Sequence, residues 1–315
     1  MKTLNPFKYS NDNKRYYTYN YFTQKTYGSK AFKVSIDAGF TCPNRDGTCG
    51  SGGCNFCSAR GSGDMILKDP DLEAQIDHSE AIMLRKWPNA KRIAYFQAYS
   101  NTHDSLDALK ALYDPFFEDD RFVGIDIATR SDCLDDDKIA YFASKAKQKD
   151  LTIEIGLQSM HPTTGVWMNR GHDLDSVASC ITKLKVAGIR TCIHIINGFP
   201  VETTDMMLET CDYVAQLNPD MLKIHMLHII KDTKLGYQYS KNPFEIMSME
   251  TYVDLVVQQL ERLPETMVIA RLTGDGIGSD LLAPEWTRRK TIVLNEIDKL
   301  MLARNTWQGK YYKEH

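Results

Sequence analysis

Eight cysteines occur in this chain of 315 residues, and four of them fall in one short stretch, FTCPNRDGTCGSGGCNFCS, residues 40–58. Cys54 and Cys57 form a C-x-x-C pair, which lets two thiolates reach one metal centre from a single tight turn. A zinc ribbon needs a second such pair. None exists, because Cys133, Cys180, Cys192 and Cys211 are scattered singly and read as small buried hydrophobes. A thioredoxin-type redox pair usually opens a helix and requires no neighbouring cysteines. The other chemistry is an iron–sulfur cluster held by thiolates. Cys42 supplies a third ligand at a C-x11-C-x2-C spacing, and Cys49 at C-x4-C-x2-C, the opening of a plant-type ferredoxin run.

The elements that must position these thiols are legible as β-rich runs alternating with amphipathic ones. The runs are KVSID (33–37), RIAYFQ (92–97), FVGIDIAT (122–129), LTIEIGL (151–157), IRTCIHII (189–196), MLKIHML (221–227) and MVIARL (267–272). Helical patterns such as DLEAQIDHSEAIMLRKW, SLDALKALYDPFFED and LDSVASCITKLKVAG lie between them. Repeated strand–helix units predict an α/β fold with a parallel sheet, either open and doubly wound or curled into a full or partial barrel. In both, ligands sit at the carboxyl ends of the strands. The cysteines follow the first strand, so they fall in that mouth. A [4Fe–4S] cluster with three protein ligands there leaves one iron open to bind a small molecule and pass it an electron.

Composition narrows the classes further. A hydrophobic share of 43% supports a sizeable core, and a net charge of -3 gives no global pull toward nucleic acid or membrane. The start, MKTLNPFKYSNDNKRYY, lacks the apolar core of a signal peptide, and no run of eighteen apolar residues occurs. The expectation is a cytoplasmic chain with reduced thiols and no membrane partner, where clustered cysteines read as metal-binding or catalytic.

The run KVSIDAGFTCPNRDGTCGSGGCNFC resembles the YhcC-like group of radical S-adenosylmethionine (SAM) enzymes, related to the elongator catalytic-subunit group. The resemblance implies a partial (β/α)6 TIM-type barrel with N- and C-terminal extensions. It also implies a [4Fe–4S] cluster on Cys42, Cys54 and Cys57, with Phe56 as the aromatic before the last ligand and Cys49 at a variable position. The first interval departs from the usual C-x3-C spacing of the superfamily. The second strand ends in FQAYSNTH, where many members carry a Gly-rich segment against the methionine amino group of SAM; here Gln97 and Ser100 are the polar groups available. The third strand runs into TRSDCL, a similar Thr-Arg. In EIGLQSMHPTTGVWMNRGHD, Gln158 and Arg170 match residues that contact SAM in the oxygen-independent coproporphyrinogen oxidase group, and Glu154 and Gln158 fit a similar E-x-G-x-Q-S of the elongator group, which implies SAM contacts for all three. A carboxylate or amide accepts from ribose hydroxyls or the amino group, and an arginine grips the methionine carboxylate in a bidentate fork. In IHIINGFPVET, His194 stands at a polar position of the family's fifth strand. The sixth strand is expected to place its backbone against adenine.

By the same resemblance the chain cleaves SAM reductively, generating a 5′-deoxyadenosyl radical that abstracts hydrogen from a substrate. The electron comes from a reductant such as flavodoxin or ferredoxin. The substrate is a small molecule or RNA, and an elongator-like affinity points to tRNA modification. The first 33 residues hold seven basic residues (Lys2, Lys8, Lys14, Arg15, Lys25, Lys30 and Lys33) against one acid, Asp12, with many aromatics, a composition suited to stacking on bases and neutralising phosphates. Packing of those aromatics against the sheet is the alternative. Asp275, in the loop TGDGIGSDLLAPEW, either faces the substrate or forms a turn. The expected organisation is a basic, aromatic extension over 1–32, a radical SAM core over 33–230 and a mostly helical C-terminal extension over 231–315. Two rival functions are an electron-transfer iron–sulfur protein using Cys49, Cys54, Cys57 and a distant cysteine, and a zinc-containing nucleic-acid-binding module.

Overall fold

The computed structural model describes residues 5–274 and 278–313; Lys2 and Asp275 therefore lie outside the described residues. The elements run α1 (Tyr19–Tyr27), β1 (Ala31–Ile36), α2 (Leu72–Lys86), β2 (Lys91–Phe96), α3 (Leu106–Glu118), β3 (Phe122–Thr129), α4 (Asp136–Ala146), β4 (Asp150–Gln158), α5 (Pro162–Trp167) and α6 (Leu174–Val186). They continue with β5 (Arg190–Asn197), α7 (Thr204–Leu217), β6 (Met221–Met226), β7 (Ile229–Ile230), α8 (Lys234–Lys241), α9 (Met249–Arg262), β8 (Val268–Arg271), β9 (Leu281–Ala283) and α10 (Lys290–Ala303).

Every β-rich run read from the sequence falls on a strand. The larger sheet has the sequential order β1-β2-β3-β4-β5-β6-β8, while β7 and β9 form a separate antiparallel pair. Strands β1 to β4 pair parallel, as do β6 and β8. The parallel α/β fold expected from the strand–helix alternation is borne out. Apolar runs rich in isoleucine suit strands covered on both faces. Helices begin where a short polar side chain can take an orphan amide: Asp71, Ser105, Asp135, Asp173, Thr203 and Ser248 each cap the helix that follows. The Lys-Val-Ala-Gly stop of α6 works as read: Gly188 takes φ +72° and Ile189 N donates to Leu184 O at 3.0 Å.

The chain forms two compact units. One contains Thr23–Gly156 and Arg170–Cys192. On one sheet face of this unit, Phe96 meets Tyr113 and Phe116 edge-on, each at 4.8 Å between ring centres. On the other face a charged row crosses the strands. Lys33 Nζ lies 2.5 Å from Asp126 Oδ2 and 2.6 Å from Glu154 Oε1, above the Tyr95 ring.

The second unit contains the N-terminal segment to Phe22, Leu157–Asn169 and the chain from Ile193 onward. Here α7 and α9 pack through Met207, Leu208 and Leu255. A reciprocal amide pair, Asn197 with Gln259 at 2.9 and 3.0 Å, ties the end of β5 to α9. The N-terminal segment is integral to this unit. Phe7 and Tyr16 are buried, Ile269 N donates to Tyr17 O at 2.8 Å, and Tyr17 N donates to Gln308 Oε1 at 2.8 Å. Its basic residues are engaged within the chain: Lys8 pairs with Glu265, Lys14 with Asp298, and Arg15 donates to Asn305 Oδ1 at 3.1 Å. Packing, the alternative reading of this aromatic stretch, is what the structure shows.

Candidate metal centre

The loop after β1 explains its own spacing. The Cys42 carbonyl accepts from Arg45 N at 2.7 Å and from Asp46 N at 3.1 Å, which starts a turn. Asp46 and Ser51 then bridge antiparallel, and Gly47 N donates to Gly50 O at 3.1 Å, so the chain makes a small hairpin. Gly53 N donates to Asn44 O at 2.8 Å and closes the neck. The long first interval thus leaves and returns, and Cys54 re-enters next to the turn opened by Cys42. A second turn, Cys57 N to Cys54 O at 3.0 Å, brings in the third thiol. Cys49 rides on the hairpin, exposed, with its thiol 3.5 Å from Arg130 Nη2.

Two glycines make this geometry possible. Gly53 takes φ +71°, a left-handed conformation that a side chain disfavours. At Gly50 a Cβ would lie 2.2 Å from Asn44 Oδ1. Asn44 is itself buried, and its Nδ2 faces Cys54 Sγ at 3.8 Å.

The thiols act on each other. Burial, then the neighbouring Cys54 and Cys42, push the Cys57 thiol up to about 12. Burial and Cys42 raise Cys54, against the opposing pull of Arg130, Asn44 and Arg170. Such a group stays protonated until a cation is shared among the sulfurs, and metal binding then takes the protons off. Cys42, Cys54 and Cys57, brought together by these turns, fit a thiolate-held metal cluster. Cys133, Cys180, Cys192 and Cys211 are buried, as expected of small hydrophobes, and burial lifts Cys133 and Cys180 to about 12.

The segment after β2 lies against this loop. Ser100 N donates to Thr41 O at 3.1 Å and Gln97 N to Ile36 O at 3.1 Å. Between them, Ala98 and Tyr99 take φ of +75° and +59°. Both adopt the left-handed conformation that glycine favours, although neither is glycine. The small residues stand opposite instead. A Cβ on Gly63 would come within 3.0 Å of Ala98 Cβ, and one on Gly61 within 3.0 Å of the Tyr99 ring. The hydroxyl of Ser100 is buried and makes no hydrogen bond among the described residues. Phe56 is half-buried beside Cys57.

Arg130, which follows β3, is a hub that the sequence named only as part of a Thr-Arg pair. It is buried, grips Asp132 through Nε at 2.9 Å and Nη2 at 2.6 Å, and donates to Arg170 O at 2.7 Å and Gly171 O at 3.1 Å. Arg170 is buried and donates to His172 O at 3.1 Å, while a Cβ on Gly171 would sit 2.9 Å from Asn44 Oδ1. Arg170 therefore reaches the cysteine loop, and Asn44 and Gly171 are structural partners whose importance no spacing revealed. Glu154 is placed differently: it lies mid-strand, buried, with its carboxylate ion-paired to Lys33.

In the second unit, Gln158 ends β4 at φ +62°, an uncommon conformation for its type and one that clusters at functional positions. The following residue is anchored: the Ser159 hydroxyl bonds Glu202, whose carboxyl is pushed up by burial. Glu202 comes from the GFPVET turn after β5, so that turn has a mechanical role. His194 lies within β5, its ring centre 5.6 Å from that of His225.

The chain is also similar to known proteins in sequence and fold. Residues 44–214 match the model of the radical SAM superfamily, and residues 219–303 match that of the radical SAM C-terminal domain. The protein YtqA of Bacillus subtilis (strain 168) is 45% identical over 314 residues, covering 99% of this chain and 98% of YtqA. YhcC of Escherichia coli (strain K12) is 29% identical, covering 88% of this chain and 89% of YhcC. Among solved structures, Elp3 of the archaeon Methanocaldococcus infernus, lacking its N-terminus, superposes with a TM-score of 0.60 at 15% identity, covering 89% of this chain and 64% of Elp3. That last likeness speaks to the fold alone. With more than half its length matched and a full-length relative at this identity, the chain belongs to the radical SAM superfamily.

Proposed function

We propose that Cys42, Cys54 and Cys57 hold a [4Fe–4S] cluster with one iron left for SAM, and that Cys49 is not a ligand. The observation that carries this is the returning hairpin: its neck lies between Cys42 and Cys54, and Cys49 rides outside it. When bound, the cluster and SAM supply one-electron cleavage of a carbon–sulfur bond, fed by a reductant such as flavodoxin or ferredoxin. The chain's own residues position and shield. Phe56 covers the sulfurs with an apolar ring. Arg170, held through Arg130, offers its guanidinium to the methionine carboxylate, and Gln97 and Ser100 offer polar groups to the amino end. Gln158 and His194 are assigned to the same ligand by the family resemblance. Glu154 enters through Lys33, whose ammonium it shares with Asp126.

The test is anaerobic reconstitution. About four irons per chain are expected, with 5′-deoxyadenosine formed from SAM and dithionite. Cys42→Ala should abolish this and Cys49→Ala should retain it. Turnover that survives Cys42→Ala overturns the ligand set, as does a colourless, zinc-loaded protein.

For the substrate we place a small molecule ahead of RNA. The RNA reading rests on the elongator-like affinity and on the basic N-terminal residues, and of the latter Lys8, Lys14, Arg15 and Lys33 are engaged within the chain. Were tRNA or rRNA the substrate, its addition would raise SAM cleavage and added salt would reverse the gain.

A further inference from the structure

A second group of polar side chains gathers where β6 and β8 end. Lys223 pairs in register with Arg271, and His225 follows Lys223 on the same face of β6. The ring of His194 lies 5.6 Å from that of His225. Past the end of β8 the chain crosses directly over two imidazoles. A Cβ on Gly274 would come within 3.1 Å of His228 Cε1 and 3.6 Å of His225 Nδ1. This crossing is fixed from behind. Tyr252 of α9 is fully buried against Trp286 and donates its hydroxyl to Leu272 O at 2.8 Å.

Two members of the group lack a partner among the described residues. The Nε2 atom of His225 is shut off from solvent and has no hydrogen-bond partner among the described residues. Arg271 is half-buried and pairs with no carboxylate among the described residues. Burial holds the His225 imidazole well below its usual range, and Arg271, His194, Lys223 and His228 push the same way. A buried ring nitrogen without a partner is costly, and a guanidinium beside it without an acid is unusual. Both defects are repaired at once by an oxyanion. The guanidinium fork matches two of its oxygens, and neutral imidazole carries one N–H to donate to a third position.

We propose that Arg271 and His225 form a binding subsite for an oxyanion, a phosphate or carboxylate group carried by the substrate. Gly274 is the residue that lets the β8 segment close over the imidazoles, and a side chain there would displace His228. The subsite rests on the radical SAM reading only in calling its occupant the substrate.

The test is a titration of the full-length, reconstituted chain, labelled with 15N-histidine, with inorganic phosphate and separately with acetate at constant ionic strength. The imidazole resonances of His225 should shift saturably with at least one anion and not with chloride, the two arms separating phosphate from carboxylate. Affinity should fall about tenfold or more in Arg271→Gln. Arg271→Lys, which keeps the charge without the fork, should fall between and serves if Arg271→Gln does not fold. Three results overturn the proposal: no saturable shift, an equal affinity in folded Arg271→Gln, or loss of the effect on adding SAM, which would give the pair to the cofactor. The titration needs no turnover, so it can fail while 5′-deoxyadenosine is still formed, and the reverse.

Discussion

Two sets of charged side chains lie on strands of this molecule, and they differ in how they are balanced. In the unit of Thr23–Gly156, Lys33 sits between Asp126 and Glu154 at hydrogen-bond distance from each. In the other unit, Arg271 stands with Lys223 and three imidazoles, and no carboxylate among the described residues pairs with it. The first set answers its own charges, whereas in the second Arg271 has no carboxylate partner among the described residues. Ionisable groups buried on strands are therefore no guide to a binding site by themselves; the sign of what is left over is the guide. Glu154 illustrates this. Its type and spacing nominate it for ligand contact, yet its carboxylate is engaged by a lysine from β1.

Breaking the balanced set should have the largest effect. Lys33→Met removes the cation that Asp126 and Glu154 share, and loss of one member of a buried ion pair costs about 3–5 kcal/mol. Urea unfolding should show this as a lower midpoint at unchanged slope. Adding Asp126→Asn and Glu154→Gln to Lys33→Met should recover at least half of the loss, because the stranded charges go too. No recovery in the triple variant would mean that Lys33 stabilises through its place over the Tyr95 ring and not through its ion pairs.

His172 offers an intermediate case. Burial lowers its pKa, and Arg130 and Arg170 are near enough to add to that, against Asp132 and the Gly156 backbone. Together these lower its pKa from 6.5 to about 4. The unfolded chain thus takes up this proton first as pH falls. Its contribution is whole above the unfolded value and is lost progressively as pH drops from about 6.5 toward about 4, by up to about 3 kcal/mol. Unfolding free energies measured across that window should fall in the parent chain and flatten in His172→Asn. A parent curve that is already flat would show that Asp132 compensates the ring, placing His172 with the balanced set.

The same division between local and non-local information explains what could be read from the sequence. Strands were legible because β-branched runs need no partner to be recognised, and α6 because its glycine stop is local. The cysteine trio was nominated by resemblance, but its hairpin was not legible. Its neck depends on Asn44 meeting Gly50 and Gly171, and Gly171 lies far along the chain. Arg130 was quoted in its Thr-Arg pair without a role, since its work is done on the carbonyls of Arg170 and Gly171. FQAYSNTH was noted as lacking glycines. Yet Ala98 and Tyr99 adopt the glycine-like conformation, with Gly61 and Gly63 on the facing segment giving the room. The engagement of the N-terminal segment was not legible either: its composition suggested a basic arm, while the partners of Lys8 and Lys14, Glu265 and Asp298, lie at the other end of the sequence.

The smallest effect is expected at Arg271. A charge with no carboxylate partner among the described residues contributes no ion pair there to lose, and its removal relieves repulsion from Lys223 and the imidazoles. In the absence of added anion, Arg271→Gln should change stability by less than about 0.5 kcal/mol, with its direction toward greater stability. With saturating phosphate or acetate the parent should gain stability in proportion to the logarithm of anion concentration and the variant should gain less. Thermal unfolding of both chains, with and without anion at matched ionic strength, reads this difference directly. A loss of several kcal/mol in Arg271→Gln without anion would mean that the guanidinium is already compensated within the fold. The contrast with Lys33 would then collapse, and both sets would be structural.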